Sequence, residues 1–180
     1  MIPLIAQERP PAVADFSVIE PLRDGQRVQI RALKPSDLPG LMAAIGRISE
    51  GSMSRRFFGA KRHFSEKEIA YFVHVDFVTH VALVAVADEG AGSIVAGGRY
   101  VVVRPSWAEI AFAVVDDCQG QGLGTLLLRH LVAIARRAGL KELVAEVLAD
   151  NEAMLRVFGR SGLRRATRRD GSVVHVTLQL

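Results

Sequence analysis

The segment Gln119-Gly120-Gln121-Gly122-Leu123-Gly124-Thr125 stands between a strand-like run and a long amphipathic one. Glycines at that spacing let the backbone turn tightly with its N–H groups unobstructed, and the first turn of a following helix adds partial positive charge. The chemistry such an element serves is the holding of a phosphate or diphosphate. Two familiar nucleotide motifs are excluded. A dinucleotide fingerprint needs a third glycine where Thr125 follows Gly120 and Gly122, and a Walker loop needs Gly-Lys before Ser or Thr, which is absent. Tight strand-to-helix turns also use glycine for structure alone, so the segment takes its meaning from its context.

Few other residues compete for chemistry. Cys118 adjoins the segment, but no partnered histidine is evident, so a bystander is expected rather than a nucleophile. A single cysteine builds neither a disulfide framework nor a cysteine zinc site. His63, His74, His80, His130 and His175 show no ligand spacing, and no metal is expected. The formal net charge of +4 suits an anionic partner. Arg164, Arg165, Arg168 and Arg169 cluster without interleaved aromatics, which reads as a solvated face rather than a nucleic-acid stripe. No nucleic acid is expected as a partner.

The elements that must position the glycine-rich segment belong to one α/β domain, the amount of fold that 180 residues supply. No apolar run approaches the roughly 20 residues of a membrane span, and the amino terminus lacks a basic start followed by an apolar stretch. No membrane association and a cytoplasmic address are expected. Pro3, Pro10, Pro11 and Pro21 imply a loose arm over residues 1–25, with the domain over 26–180. The arm leaves a homodimer open, since it could cover a partner subunit.

Residues 28–32 alternate as a strand, Ser36-Asp37 caps a helix to about Ile48, and Ser65 with Glu68 forms a capping box for a second. The runs 81–87 and 93–103, separated by Glu89-Gly90-Ala91-Gly92, read as an antiparallel hairpin, and Trp107 to Val115 as the next strand. Leu123, Leu126, Leu127, Leu131, Ile134 and Ala135 share one helical face, and Gly139 ends that helix. A buried strand at 143–148, a helix from Asn151 to near Gly162 and a strand at 173–178 complete β-α-α-β-β-β-α-β-α-β, with a further strand near 163–167.

In that setting the sequence resembles the GCN5-related N-acetyltransferase (GNAT) family. The family signature is Gln or Arg, two residues, Gly, one residue, then Gly or Ala; Gln119, Gly122 and Gly124 match it. Asn151-Glu152-Ala153-Met154-Leu155-Arg156-Val157-Phe158, ending Ser161-Gly162-Leu163, resembles the family's later helix, which packs beside the coenzyme. The stretches 54–59, 83–86, 108–114 and 143–148 are most similar to bacterial protein lysine acetyltransferase domains. The resemblance covers about residues 27–180. Such relatives often carry a second, synthetase-like or cyclic-nucleotide-binding domain, and the expectation here is the catalytic module alone.

The resemblance implies an α/β (α+β) fold with a mixed, mostly antiparallel sheet flanked by helices. It implies acetyl-CoA as co-substrate and direct transfer of the acetyl group to an amine, that of a protein lysine. Glu109 matches the family's general base, and alternation puts it on one face with the small Ala111 and Ala113. Val114 and Val115 match positions whose backbone groups receive the thioester. The segment Gln119, Gly120, Gln121, Gly122, Leu123, Gly124 and Thr125 would hold the coenzyme's phosphates, and Asn151, Met154 and Phe158 its arm.

Two departures stand out. Phe158 occupies a position where many relatives have a tyrosine that protonates the leaving thiolate, and Gln121 one often held by Arg or Lys. A small-molecule amine acceptor is the rival reading, although a polycation would favour an acidic mouth. A non-catalytic acyl-CoA-binding module is the other, on the strength of Phe158. Arg55, Arg56, Phe57 and Phe58 are open between an acceptor surface and core.

Overall fold

The computed structural model describes residues 12–57, 64–87 and 92–180. Its elements are β1 (Ser17–Pro21), β2 (Arg27–Ala32), α1 (Leu38–Gly46), α2 (Glu50–Phe57), α3 (Glu66–Val73), β3 (His80–Ala87), β4 (Ile94–Arg104), β5 (Trp107–Val114), α4 (Leu123–Arg137), β6 (Glu142–Leu148), α5 (Glu152–Gly159), β7 (Arg165–Asp170) and β8 (Val173–Gln179). Among the described residues the strands form one sheet in the order β1-β2-β3-β4-β5-β6-β8-β7. Every neighbouring pair is antiparallel except β5 with β6. This is the mixed, mostly antiparallel sheet with flanking helices that the sequence implied.

The loose arm is corrected within its described part. Ser17–Pro21 pairs with Arg27–Arg31 as the sheet's first edge. Pro21 stands at the end of an edge strand, where a missing N–H costs little, so proline was a misleading sign there. Leu22 N–H donates to the Gln26 carbonyl at 2.7 Å and Gly25 takes φ 87°, which closes the hairpin to β2. Residues 1–11 lie outside the described residues.

Asp37 holds the N-cap position of α1, as expected, but its side chain does not cap the helix. Its carboxylate receives both terminal nitrogens of Arg31 at 2.7 Å and the Lys34 N–H at 2.7 Å, and α1 begins one residue later without a side-chain cap and ends at Gly46. Ser65 and Glu68 do form the expected reciprocal capping box of α3. The helix α2 was not anticipated. Met53 is its one buried apolar residue among those described, so its sequence shows little helical period. The hairpin β3–β4 forms as expected, with residues 88–91 of its turn outside the described residues. The last edge, β7, starts at Arg165 rather than Leu163, and all six of its residues are exposed, as expected of the arginine cluster.

The helix α4 buries Leu123, Leu127, Leu128 and Leu131 against the sheet, each at 2% exposure or less. A buried leucine contributes about 1.5–3 kcal/mol, so this face fixes α4, and with it the loop that enters it. Ala108, Ile110 and Phe112 of β5 are buried on that side, and Phe112 and Leu131 meet over Gly98. Glu109, Ala111 and Ala113 therefore face the other way.

Candidate active site

The site begins where β5 and β6 part. Their parallel pairing joins Trp107, Ala108 and Glu109 to Glu142, Leu143 and Val144 and goes no further. Beyond it β5 follows β4 to Val114, whereas β6 follows β8 to Leu148. The sheet thus opens like a V with Glu109 at its apex. Val115 N–H donates to the Val95 carbonyl at 3.0 Å. In an antiparallel pair the bonding groups of successive residues point to opposite sides, so the N–H of Val114 is directed away from β4, into the opening.

At the wide end of the V lies the glycine-rich loop. Gly120 and Gly122 adopt φ 80° and 99°, a region that costs other L-residues strain, and Gly122 is the N-cap of α4. The first helical bond runs from Leu126 N–H to the Gly122 carbonyl at 3.0 Å, so the amides of residues 122–125 have no partner inside the helix. A Cβ at Gly124 would stand 3.3 Å from Val157, so this glycine lets α5 approach α4. The Gln119 side-chain amide ties the loop down, with Nε2 at 3.3 Å from the Val114 carbonyl, 3.3 Å from Ser52 Oγ and 3.2 Å from Asp116 Oδ1.

A groove of about 790 Å³ joins the two ends. Of the residues expected at the site, Glu109, Val114, Gln119, Gly120, Gly122, Leu123, Gly124, Thr125, Asn151, Met154 and Phe158 all line it. Val115 and Gln121 do not. Val115 is 1% exposed and its amide is engaged by β4, so Val114 alone of the pair offers an N–H to the opening. Asn151 caps α5 by accepting the Met154 N–H at 3.2 Å. Phe158 is 1% exposed, with its ring 6.1 Å from that of Phe112. Burial pushes the Cys118 thiol up, with the Asp117 charge adding to it, which leaves it protonated and a poor nucleophile. Arg55 lines the groove; Phe58 lies outside the described residues.

Several lining residues had no sequence signal. Arg23 comes from the β1–β2 hairpin, Tyr71 and Phe72 from α3, Arg99 from β4, Glu146 from β6 and His175 from β8. His175 stands opposite Glu146, with Nδ1 3.3 Å from its carboxylate. Arg99 and Val101 pair with Ala111 and Glu109, so Arg99 is the diagonal neighbour of Glu109.

Arg99 is backed by His80, which is 7% exposed. The His80 ring stacks on Tyr71 at 4.8 Å, and its Nε2 lies 3.3 Å from Arg99 Nη1. A guanidinium only donates, so Nε2 accepts and the ring is neutral. Burial, then the charge of Arg99, pushes the His80 pKa from 6.5 down to about 4. Between those values the unfolded chain binds the extra proton, so this group's contribution to stability is complete above pH 6.5 and is lost as pH falls toward 4. Asp76 is held low by the Thr79 hydroxyl and by the N–H groups of His80, Val78 and Thr79, and its contribution is lost only in stronger acid. Melting temperature measured from pH 7.5 to 4.5 is expected to fall more steeply in the wild type than in His80→Gln. Parallel slopes in the two proteins would remove His80 as the cause.

The acetyltransferase (GNAT) family model matches residues 52–163. The chain belongs to that family. Relatives agree with the assignment. "Acetyltransferase Pat" of Mycolicibacterium smegmatis is 32% identical over 144 residues, 78% of this chain and 42% of that protein. "Acetyltransferase PA5475" of Pseudomonas aeruginosa is 33% identical over 138 residues, 76% of this chain and 74% of that protein. The solved GNAT domain of S. lividans PAT superposes with a TM-score of 0.84 at 31% identity, over 96% of this chain and all of that domain. The chain thus spans less than half of the Mycolicibacterium relative. Acyl transfer is the class of reaction to which the GNAT family assigns the domain.

Proposed function

We propose that the domain transfers the acetyl group of acetyl-CoA directly to a primary amine, that of a protein lysine. The observation that carries this reading is the V between β5 and β6, with a carboxylate at its apex and a glycine-rich helix start at its mouth, both on one groove. The donor fits the cradle, where unpartnered amides and positive-φ glycines suit a diphosphate. Bound there, it supplies the activated acyl group.

The chain's own residues do the rest. Glu109 faces away from α4, so the amine arrives on one face of the sheet while the α4–α5 side holds the coenzyme. An alkylammonium has a pKa near 10.4, and Glu109 takes its proton, directly or through water, so that the nitrogen can attack. Val114 N–H, aimed into the opening, donates to the carbonyl oxygen as negative charge grows on it. Ala111 and Ala113 leave room beside the carboxylate. Phe158 has no proton to give, so the departing sulfur is protonated by water or leaves as thiolate.

Two features support a protein acceptor over a polycation. Arg55, Arg99, Arg160 and Arg168 line the groove, and Asp117 of the Asp116-Asp117 pair is bound to Arg47 at 2.7 Å. Tyr71, Val78 and Val103 are exposed at 50%, 72% and 49%, and Tyr71 lines the groove, which suits contact with a protein surface. Calorimetry with acetyl-CoA, followed by thiol release with a panel of acyl-CoA synthetases and small amines, tests the reading. Release with a protein acceptor is expected. Binding with release only on small amines would replace the acceptor, and absence of binding would overturn the donor.

A further inference from the structure

The β1–β2 hairpin carries an arginine to the glycine-rich loop. Arg23 Nη1 donates to the Gly120 carbonyl at 3.3 Å, and its backbone N–H reaches the Gln121 carbonyl at 3.4 Å. Its Nε lies 3.7 Å from where a Cβ on Gly122 would stand, and the side chain lines the groove. The position is held from behind. Glu20 on β1 binds both Arg129 and His130 of α4, with His130 Nε2 at 2.7 Å, and the Phe16 ring lies 5.3 Å from that of His130. Phe16, Val18 and Leu22 pack on the core. The hairpin is therefore fastened to the same helix whose first turn forms the cradle.

The loop itself is short of positive charge. Gln119 and Gln121 are neutral, and Asp116 and Asp117 precede them. Arg156, which also lines the groove, is paired with Glu152 at 3.0 Å. A diphosphate at the α4 amino terminus would meet amide dipoles from the loop but no cation from the loop's own sequence. Arg23 supplies one. Among the described residues its guanidinium makes one hydrogen bond, to the Gly120 carbonyl. Its planar fork has five N–H donors, a geometry that fits phosphate oxygens two at a time.

From this juxtaposition we infer that Arg23 is a binding residue for the coenzyme's phosphates, donated by the amino-terminal hairpin in place of a cation in the loop. The inference rests on the acyl-CoA reading above and deepens it. The two hydrogen bonds to Gly120 and Gln121 also hold those carbonyls on the arginine, so it both charges the cradle and fixes the loop.

The test compares two donors that differ in the phosphates. Acetyl-CoA binding is measured by calorimetry, and S-acetylpantetheine, which has no phosphate, by NMR titration. Arg23→Ala is expected to weaken acetyl-CoA binding roughly tenfold, as loss of a charge-assisted contact at an exposed site does, and to leave S-acetylpantetheine unchanged. Arg23→Lys keeps the charge without the fork and is expected to recover part of the loss. The wild-type affinity falls with added salt more steeply than that of Arg23→Ala. Unchanged acetyl-CoA affinity in Arg23→Ala overturns the inference, and so does an equal loss for both donors, which marks a structural role. A wild-type protein that does not bind acetyl-CoA refutes the donor itself, a different failure.

Discussion

Glu109→Gln is expected to lower kcat by roughly 10²–10⁴-fold, the usual yield of a positioned general base, while acetyl-CoA affinity stays at the wild-type value. Glutamine keeps the size and hydrogen-bonding reach of the side chain and removes its ability to accept a proton. The side chain is exposed on β5, so the change creates no cavity and no buried unpaired group. It also projects from the face opposite the α4 side, so donor binding and proton removal are separable in this fold. Raising the pH supplies neutral amine without a base, so the defect is expected to shrink as pH rises toward the acceptor's own pKa. Calorimetry and a pH series of initial rates read both effects. Wild-type turnover in the variant would remove Glu109 from the mechanism, and loss of coenzyme binding would make it a structural residue.

The parts of this site that were legible in the sequence are those whose physics is local. The start of α4 announces itself through Gly120, Gly122 and Gly124 followed by leucines at helical spacing, because both backbone freedom and amphipathic period are written in consecutive residues. The α5 cap at Asn151 and the capping box at Ser65 are equally local. Glu109 was singled out by family resemblance, since an isolated strand glutamate has no distinguishing pattern. What the sequence hid are the contacts between distant segments. Arg23 is 97 residues from Gly120, and no periodicity links them. Its hairpin looked like a loose arm because Pro21 signals a strand break unless the strand is known to be an edge. Val114 and Val115 were equivalent as candidates until the register with β4 settled which amide faces the opening. His80, Tyr71 and Arg99 come from three elements, so their cluster is likewise a product of the sheet rather than of any one stretch.

Gly98→Ala is the stability change expected to reach the site from the core. Gly98 pairs with Phe112 across β4 and β5. The bond from Val115 N–H to Val95 makes alternate pairs hydrogen-bonded, which leaves Gly98 and Phe112 a non-bonded pair, the kind whose side chains stand closest. A Cβ at residue 98 would lie 2.7 and 2.9 Å from two Phe112 ring carbons and 3.1 Å from Leu131 Cδ1. Neither neighbour yields easily, since Phe112 is 5% and Leu131 0% exposed. Overpacking of this kind costs about 1–3 kcal/mol, or roughly 2–10 °C in Tm for a domain of this size. Phe112 lines the groove and packs by Phe158, so a shift of its ring alters the groove wall where the coenzyme arm is proposed to lie. A weaker acetyl-CoA affinity is therefore expected beside the lower Tm. Phe112→Leu in the same protein shortens the obstructing ring, and the double variant Gly98→Ala with Phe112→Leu is expected to lose less stability than the two single changes summed. Additivity of the two would show that the added methyl is accommodated elsewhere and that Phe112 does not couple the sheet to the groove.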